Sequence, residues 1–292
     1  MAIRSDLAIE LREMFAEEIA GVESLRHDGD GISVTHVKIT SKEAAEKIGK
    51  PQGNYITVEI RDMSMPDDEV CNRAADAVCA ELKKILSLSP QTSVLVVGLG
   101  NRDITADSIG PKAVSKIIVT RHISKATENE FKFSLRPVSA VAPGVLGITG
   151  IETSEVIKGV LKYVEADIII AIDALAARNL SRLGTTVQIS DTGIIPGSGV
   201  GNHRNALNKE TLGIPVIAIG VPMVADVATL ATDIVENISI NQKKSEERMQ
   251  KPIADILTER GENMVVTPND VDVISKQASD IIADGINMAL HE

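Results

Sequence analysis

The chain reads as an α/β protein: a three-layer α/β/α arrangement around a mostly parallel central sheet, with peripheral strands and C-terminal helices. Three observations predict this. The expected strands at 94–97, 167–172 and 215–219 carry runs that are hydrophobic at successive positions, Val94 to Val97, Ile168 to Ile172 and Val216 to Ile219, as in strands covered on both faces. Helical patterns separate these runs, and strand–helix alternation is the signature of a parallel sheet. Finally, 292 residues at 43% hydrophobic content suffice for a sizeable core. Aromatics are only 2% and Trp is absent, so that core is aliphatic. No internal repeat, low-complexity tract or linker divides the chain, and a single domain over 1–292 is expected.

The elements follow in order. Residues 1–4 are a loose end. Ser5-Asp6 offers an N-cap to a helix whose stripe, Leu7, Leu11, Met14 and Phe15, carries it through Ala20. A Gly/Asp turn at 28–31 precedes an alternating strand at 32–39. A short helix at 41–48 and a strand at 55–60 come next. Pro66 and the acids after it open an amphipathic helix to about residue 86, with negative charge at its positive end. After the strand at 94–97, Gly98 and Gly100 allow a sharp turn. A polar loop with Asp103, Thr105 and Asp107 follows, then a helix to about residue 123 with Ser108 as cap and Pro111 in its first turn. A strand at 136–141, a Gly-rich loop at 142–150 and a helix at 154–164 lead to the strand at 167–172, ended by Asp173. A strand at 185–189, a long Gly-rich loop at 191–213 and the strand at 215–219 complete the sheet. A connection of that length inside an α/β domain is uncommon and often functional. The tail is expected to be helical at 226–240 and 253–260. A last helix starts at Thr267-Pro268 and runs to about residue 289.

Composition excludes some functions. A net charge of −11 argues against direct nucleic-acid binding, which needs clustered Lys and Arg. Cys71 and Cys79 lie too far apart along one helical pattern for a disulfide. They point to a reduced, cytoplasmic protein. No apolar run reaches the ~18 residues of a membrane span, and the N-terminus lacks a signal-type apolar region. The expectation is a soluble protein that makes no membrane contact.

Two acids stand out. Asp107 and Asp173 each follow an apolar strand, at the end where open α/β sheets bind ligands. Neighbouring strands are about 5 Å apart, so their loops can share a crevice. Two carboxylates in one site push their pKa values apart, leaving one to take a proton from water and the other to donate. Equally, Asp107 fits a helix cap and Asp173 a loop acid bonded to backbone, and spacing alone does not choose. Asp191-Thr192-Gly193 mimics the motif of pepsin-like proteases, but that fold is all-β, so Asp191 is read as a loop organiser. The run from Gly197 to Asn202 resembles a phosphate loop without its Lys-Ser/Thr ending, and suits a substrate-lining loop or a tight turn. His122 and His203 lack a second ligand at metal spacing, and no metal or cofactor is expected. Arg178 could pair with a carboxylate or lie in a surface ion pair. Ser154 and Ser198 lack a nucleophile elbow.

Many blocks in order resemble one family. They include Arg4-Ser5-Asp6-Leu7-Ala8, Val97-Gly98-Leu99-Gly100-Asn101, Thr105-Ala106-Asp107 and Gly110-Pro111-Lys112-Ala113-Val114. They continue with Arg136-Pro137-Val138-Ser139-Ala140, Pro143-Gly144-Val145, Gly147-Ile148-Thr149-Gly150, Ile172-Asp173-Ala174 and Gln188-Ile189-Ser190-Asp191-Thr192-Gly193. Pro196-Gly197-Ser198-Gly199-Val200-Gly201-Asn202 and Met264-Val265-Val266-Thr267-Pro268 close the series. The chain resembles the spore germination proteases of endospore-forming bacteria over most of its length. The resemblance implies an endopeptidase that degrades small acid-soluble spore proteins in the spore core, an atypical aspartic peptidase with Asp107 and Asp173 as the catalytic pair. It also implies a homotetramer and a zymogen, with residues 1–6 as a propeptide cut between Asp6 and Leu7. The loops carrying Gly144, Gly147, Thr149, Asp191, Gly197 and Gly199 are expected to line the substrate groove. Residues 241–262 are shorter than the matching region of the family. A more distant similarity, in Gly98-Leu99-Gly100-Asn101 and Gly110, is to the hydrogenase maturation peptidases, which implies a metal-dependent alternative. A non-catalytic chaperone of the spore proteins is a third reading.

Overall fold

The computed structural model describes residues 4–61, 68–123, 135–197, 205–232, 234 and 264–292. Its strands are β1 (Val22–Asp28), β2 (Ile32–Ile39), β3 (Gly53–Ile60), β4 (Val94–Gly98), β5 (Val138–Val141), β6 (Ile168–Ala176), β7 (Thr186–Ser190), β8 (Val216–Asp226) and β9 (Val265–Val266). They form one mixed sheet in the order β1-β2-β3-β7-β8-β6-β4-β5, with β9 paired to β8. The apolar runs are its parallel centre: β4 pairs in parallel with both β5 and β6, and β6 with β8. From β8 outward through β7, β3, β2 and β1 every pairing is antiparallel.

The helices are α1 (Ala8–Glu13), α2 (Lys42–Ile48), α3 (Asp68–Ile85), α4 (Ile109–Val114), α5 (Leu146–Thr149), α6 (Thr153–Val164), α7 (Lys209–Leu212) and α8 (Val271–His291). Strand alternation divides β6 between two faces. Ile168, Ile170 and Ile172 pack with α3, α4 and α8 in the largest core cluster, while Ile169 and Ala171 face α6. Helices cover both faces, so central strands need apolar residues at every position, and β4 is buried throughout. The three-layer α/β/α architecture is as expected, with the sheet mixed rather than mostly parallel beyond its centre.

Several boundaries differ from expectation. The first helix spans only Ala8–Glu13, and its N-cap is Leu7, without a side-chain cap. Ser5 and Asp6 are bound otherwise: the Ser5 hydroxyl accepts from the Leu7 N–H at 3.0 Å and donates to Glu10 at 2.5 Å, and the Asp6 carboxylate accepts from the Ala176 N–H at 2.9 Å. Strand β1 was not anticipated, because an edge strand exposed at six of its positions has no apolar alternation to read. The helix after β4 stops at Val114 rather than near residue 123. Asp173 does not end its strand: β6 runs on to Ala176 because β8, continuing to Asp226, still pairs with it. That continuation of β8 also displaces the helix expected from residue 226; residues 227–232 are helical. The last helix begins at Val271, not at Pro268, because Val265 and Val266 pair with β8 and the Thr267 hydroxyl bonds the Met223 carbonyl. The expected helix at 253–260 and the region 241–262 lie outside the described residues.

The N-terminal segment is fastened by a partly buried ion-pair network. The Arg182 side chain is 8% exposed; its guanidinium donates two 2.7 Å bonds to Glu13 and one of 3.1 Å to Glu59, and lies 3.5 Å from buried Glu10. Burial opposes the Arg182 charge, but the bonds and charges of Glu13 and Glu59 outweigh it, and its pKa is raised. Breaking a fully buried pair costs about 3–5 kcal/mol, but here Glu13 is 52% exposed and Glu59 also pairs with Arg26, so the charges left behind are partly compensated. Arg182→Met is therefore expected to destabilise the fold by less than that, about 1–3 kcal/mol, read as a lower urea midpoint at unchanged slope.

Candidate active site

The acid loop is shaped by a glycine contact. A β-carbon on Gly98 would lie 2.2 Å from the Gly110 carbonyl oxygen, and one on Gly110 would lie 2.2 Å from the Leu99 oxygen and 2.6 Å from that of Ile172. Only hydrogen fits, so the start of α4 presses directly on the ends of β4 and β6. The loop between them is forced into a tight arc that ends in a short 3-10 turn over Thr105–Asp107. Its half-buried Asp107 accepts a 2.8 Å bond from the Asn101 N–H, which orients the carboxylate across the arc. The Ser108 hydroxyl donates to the Thr105 carbonyl at 2.8 Å and lies 3.2 Å from the Ser275 hydroxyl of α8. The last helix thus buttresses the loop. Asp103 is exposed, with its N–H bonded to the Asn101 side chain.

Asp173 sits on the neighbouring strand. Gly98 pairs with Ile172, and the Leu99 N–H still bonds the Ile172 carbonyl at 2.8 Å, so β4 turns away where Asp173 begins. On its other side Asp173 pairs with Gly220 of β8, which presents no side chain. The Asp173 side chain alternates with Ala171 and Leu175 and so points to the face opposite α3 and α8. It is 5% exposed, and its Oδ1 accepts from the Ala174 N–H at 3.0 Å. Asp107 and Asp173 therefore belong to the same carboxyl end of two adjacent parallel strands. Among the described residues no group of three or more His, Cys, Asp or Glu is arranged to hold a metal.

On the Asp173 face lies a cavity of about 430 Å³. Its wall includes Leu175 and Gly220, Gln188 and Ser190 of β7, Tyr55 of β3, Thr192 to Ile195, and the N-terminal residues Arg4, Ser5 and Asp6. Burial pushes the Tyr55 hydroxyl up to about 12, partly opposed by the Thr192 hydroxyl, and it donates to the Pro51 carbonyl at 2.8 Å. Lys50 also lines the cavity; burial lowers its pKa and the charge of Asp6 opposes that.

The remaining sequence candidates fall in different places. Asp191 accepts from both the Asn54 N–H at 2.8 Å and the Asn54 side-chain amide at 2.6 Å, so it organises the turn after β7. Gly144 is half-buried with φ +77°, against the methyl of exposed Thr149, whose hydroxyl lies 3.1 Å from the carbonyls of Val145 and Ile151. Gly147 is exposed within α5, a helix in what reads as plain loop. Gly197, at φ +72°, is half-buried, and Gly199 and His203 lie outside the described residues. Asp6 and Leu7 are 8% and 0% exposed. Sequence reasoning missed Gln188, Tyr55 and Lys50. No spacing marks them, since antiparallel pairing alone brings β3 and β7 beside the parallel centre.

Fold and site place the chain among α/β proteins that gather acidic and polar groups at the carboxyl ends of parallel strands. The family model described as germination protease matches residues 4–242 and 238–292. The germination protease of Caldanaerobacter subterraneus subsp. tengcongensis is 45% identical, covering 99% of this chain and 94% of that protein. The germination protease of Bacillus subtilis is 40% identical, with 99% and 94% covered. The chain belongs to the germination protease family, and so to the peptidases. Among solved structures, a [NiFe] hydrogenase maturation protease, HycI, from Thermococcus kodakarensis matches 61% of this chain and 97% of its own at 16% identity and a TM-score of 0.31.

Proposed function

We propose that the chain is an endopeptidase that hydrolyses small acid-soluble spore proteins during germination, using a water activated between Asp107 and Asp173. One observation carries the reading: the two acids stand at the same end of adjacent parallel strands, one oriented by the Asn101 N–H and the other buried beside Gly220. In this mechanism one carboxylate takes a proton from the attacking water. The other, protonated, polarises the scissile carbonyl and then protonates the leaving amine. Acid–base help of this kind contributes about 10²–10⁴-fold. Backbone N–H groups of the loops at 142–150 and 191–202 stabilise the oxyanion, a role worth about 10²–10³-fold per donor. The working form is a homotetramer in the spore core, without metal.

Residues 1–6 act as a propeptide cut between Asp6 and Leu7. Both flanks of that bond are buried and hydrogen-bonded, so cleavage requires the segment to lift from β6 and β7. The test is incubation of the purified chain with a small acid-soluble spore protein, followed by intact-mass analysis. Discrete fragments, with the enzyme's own N-terminus moving to Leu7, are the expected result. Capture of the substrate without fragments would instead indicate a chaperone. Hydrolysis is expected to survive exhaustive chelation; a loss restored by nickel or zinc would favour the metal-dependent reading.

A further inference from the structure

Between α8 and the Asp107 loop runs a chain of hydrogen bonds whose direction is fixed by its two ends. The Lys112 ammonium can only donate, and its Nζ donates to the Ser275 hydroxyl of α8 at 3.0 Å. The Thr105 carbonyl can only accept, and it takes the Ser108 hydroxyl hydrogen at 2.8 Å. The two hydroxyls lie 3.2 Å apart, so the hydrogen between them comes from Ser275. The order is Lys112 to Ser275 to Ser108 to Thr105, with each serine accepting one bond and donating the next. Ser108 and Ser275 are 1% and 0% exposed, so bulk water does not compete for these bonds. A charge at the head of such a chain polarises the bonds beyond it, and burial strengthens them.

The chain ends on the turn that carries the acid. Thr105 opens the 3-10 turn that ends at Asp107, and Ser108 closes it. Around it the Asp107 N–H donates to the Ile104 carbonyl at 2.8 Å, and the Asp107 carboxylate takes the Asn101 N–H at 2.8 Å. Hydrogen-bond geometry is poorer in a 3-10 turn than in an α-helix, and the Ser108 N–H lies 3.3 Å from the Thr105 oxygen. The Ser108 hydroxyl, at 2.8 Å, is the closer hold on that oxygen. Four residues on, Lys116 makes a similar contact: its Nζ donates to the Ser279 hydroxyl at 2.9 Å and pairs with Asp280. This second rung goes elsewhere, because the Ser279 hydroxyl gives its hydrogen to the Lys276 carbonyl of α8 at 2.7 Å.

We propose that Lys112 and Ser275 are positioning residues that hold the Asp107 carboxylate in place through Ser108 and Thr105, whereas Lys116 only fastens the end of α4 to α8. The proposal rests on the reading of Asp107 as a catalytic acid, but its first readout is hydrogen exchange, which needs no turnover, so the two can fail separately.

The Asn101 amide reports on the acid directly, because its N–H is bonded to the Asp107 carboxylate. Deuterium uptake at this amide is read in the full chain by mass spectrometry with electron-transfer fragmentation. Lys112→Met keeps the stem and removes the donor; Ser275→Ala removes the middle link. Each is expected to speed exchange at Asn101 at least about ten-fold, and Lys116→Met to leave it within about two-fold of the unaltered chain. The Lys112→Met/Ser275→Ala double variant should exchange no faster than the faster single, since both break one chain. With a small acid-soluble spore protein as substrate, the two single variants are expected to lower kcat at least about ten-fold with KM within about two-fold, and Lys116→Met to change neither. Unchanged exchange in Lys112→Met and Ser275→Ala, or an equal acceleration in Lys116→Met, would overturn the proposal. Faster exchange at unchanged kcat would support the hold on Asp107 and count against its catalytic role instead.

Discussion

Asp173→Asn is expected to lose at least about 100-fold in kcat/KM while the protein folds as before. The substitution preserves shape and an acceptor oxygen for the Ala174 N–H, and the site is already 95% covered by its own neighbours, at 5% exposure. What it removes is the ability to carry a proton at neutral pH. Asn cannot serve as either member of an acid–base pair, so the loss should fall on kcat, with KM little changed. The check is steady-state hydrolysis of a small acid-soluble spore protein, beside circular dichroism and the thermal midpoint. A stable but inactive variant is the expected result. A variant that unfolds early would show that Asp173 serves the fold.

Gly110→Ala should be damaging in a different way. The added methyl meets the Leu99 oxygen at 2.2 Å, the Leu99 nitrogen at 2.5 Å and the Ile172 oxygen at 2.6 Å, all backbone atoms that no rotamer change can move. The Leu99 N–H to Ile172 carbonyl bond, which joins β4 to β6 at the site, lies in the path of that methyl. Overpacking costs about 1–3 kcal/mol, more where backbone must shift. Asp107 precedes Gly110 by only three positions, so α4 cannot back away without carrying the acid with it. A misplacement of about 1 Å in a catalytic constellation costs about 100-fold. Gly110→Ala is therefore expected to lower both the urea midpoint and kcat/KM. Gly147→Ala, where an added methyl meets nothing within 4 Å, should leave the urea midpoint unchanged.

The parallel centre and its acids were legible because double-sided burial leaves a local trace: Val94 to Val97 and Ile168 to Ile172 can only be covered strands or buried helix segments, and their shortness, with the glycines after Val97, favours strands. The boundaries of β6 and β8 were not legible. Their extension past Ile172 and Ile219 depends on pairing with one another, including the row through Gly220, and pairing leaves no mark in either sequence alone. The short α1 was misread for a related reason. The stripe of Leu7, Leu11, Met14 and Phe15 has helical spacing, but Leu7 belongs to a cluster with Leu175 and Ala225, outside the helix it was assigned to. Ser5 and Asp6 have the residue types of caps, yet Ser5 bonds the N-cap residue Leu7 and Glu10 inside the helix, and Asp6 bonds Ala176 and Gln188. Gln188 itself looked like an ordinary polar position in a strand. Its hold on the Asp6 carbonyl and the Ala8 N–H emerges only when the N-terminal segment is laid across β7 and β6.

Whether Asp107 and Asp173 act as one unit is tested most directly by kcat/KM for Asp107→Asn, Asp173→Asn and the double variant on the same spore-protein substrate. Each single change is expected to cost at least about 100-fold and the double little more than the worse single, because a proton relay broken once is not broken further. Retention of activity within a few-fold of the unaltered chain in either single variant, or losses that multiply in the double, would contradict the pairing.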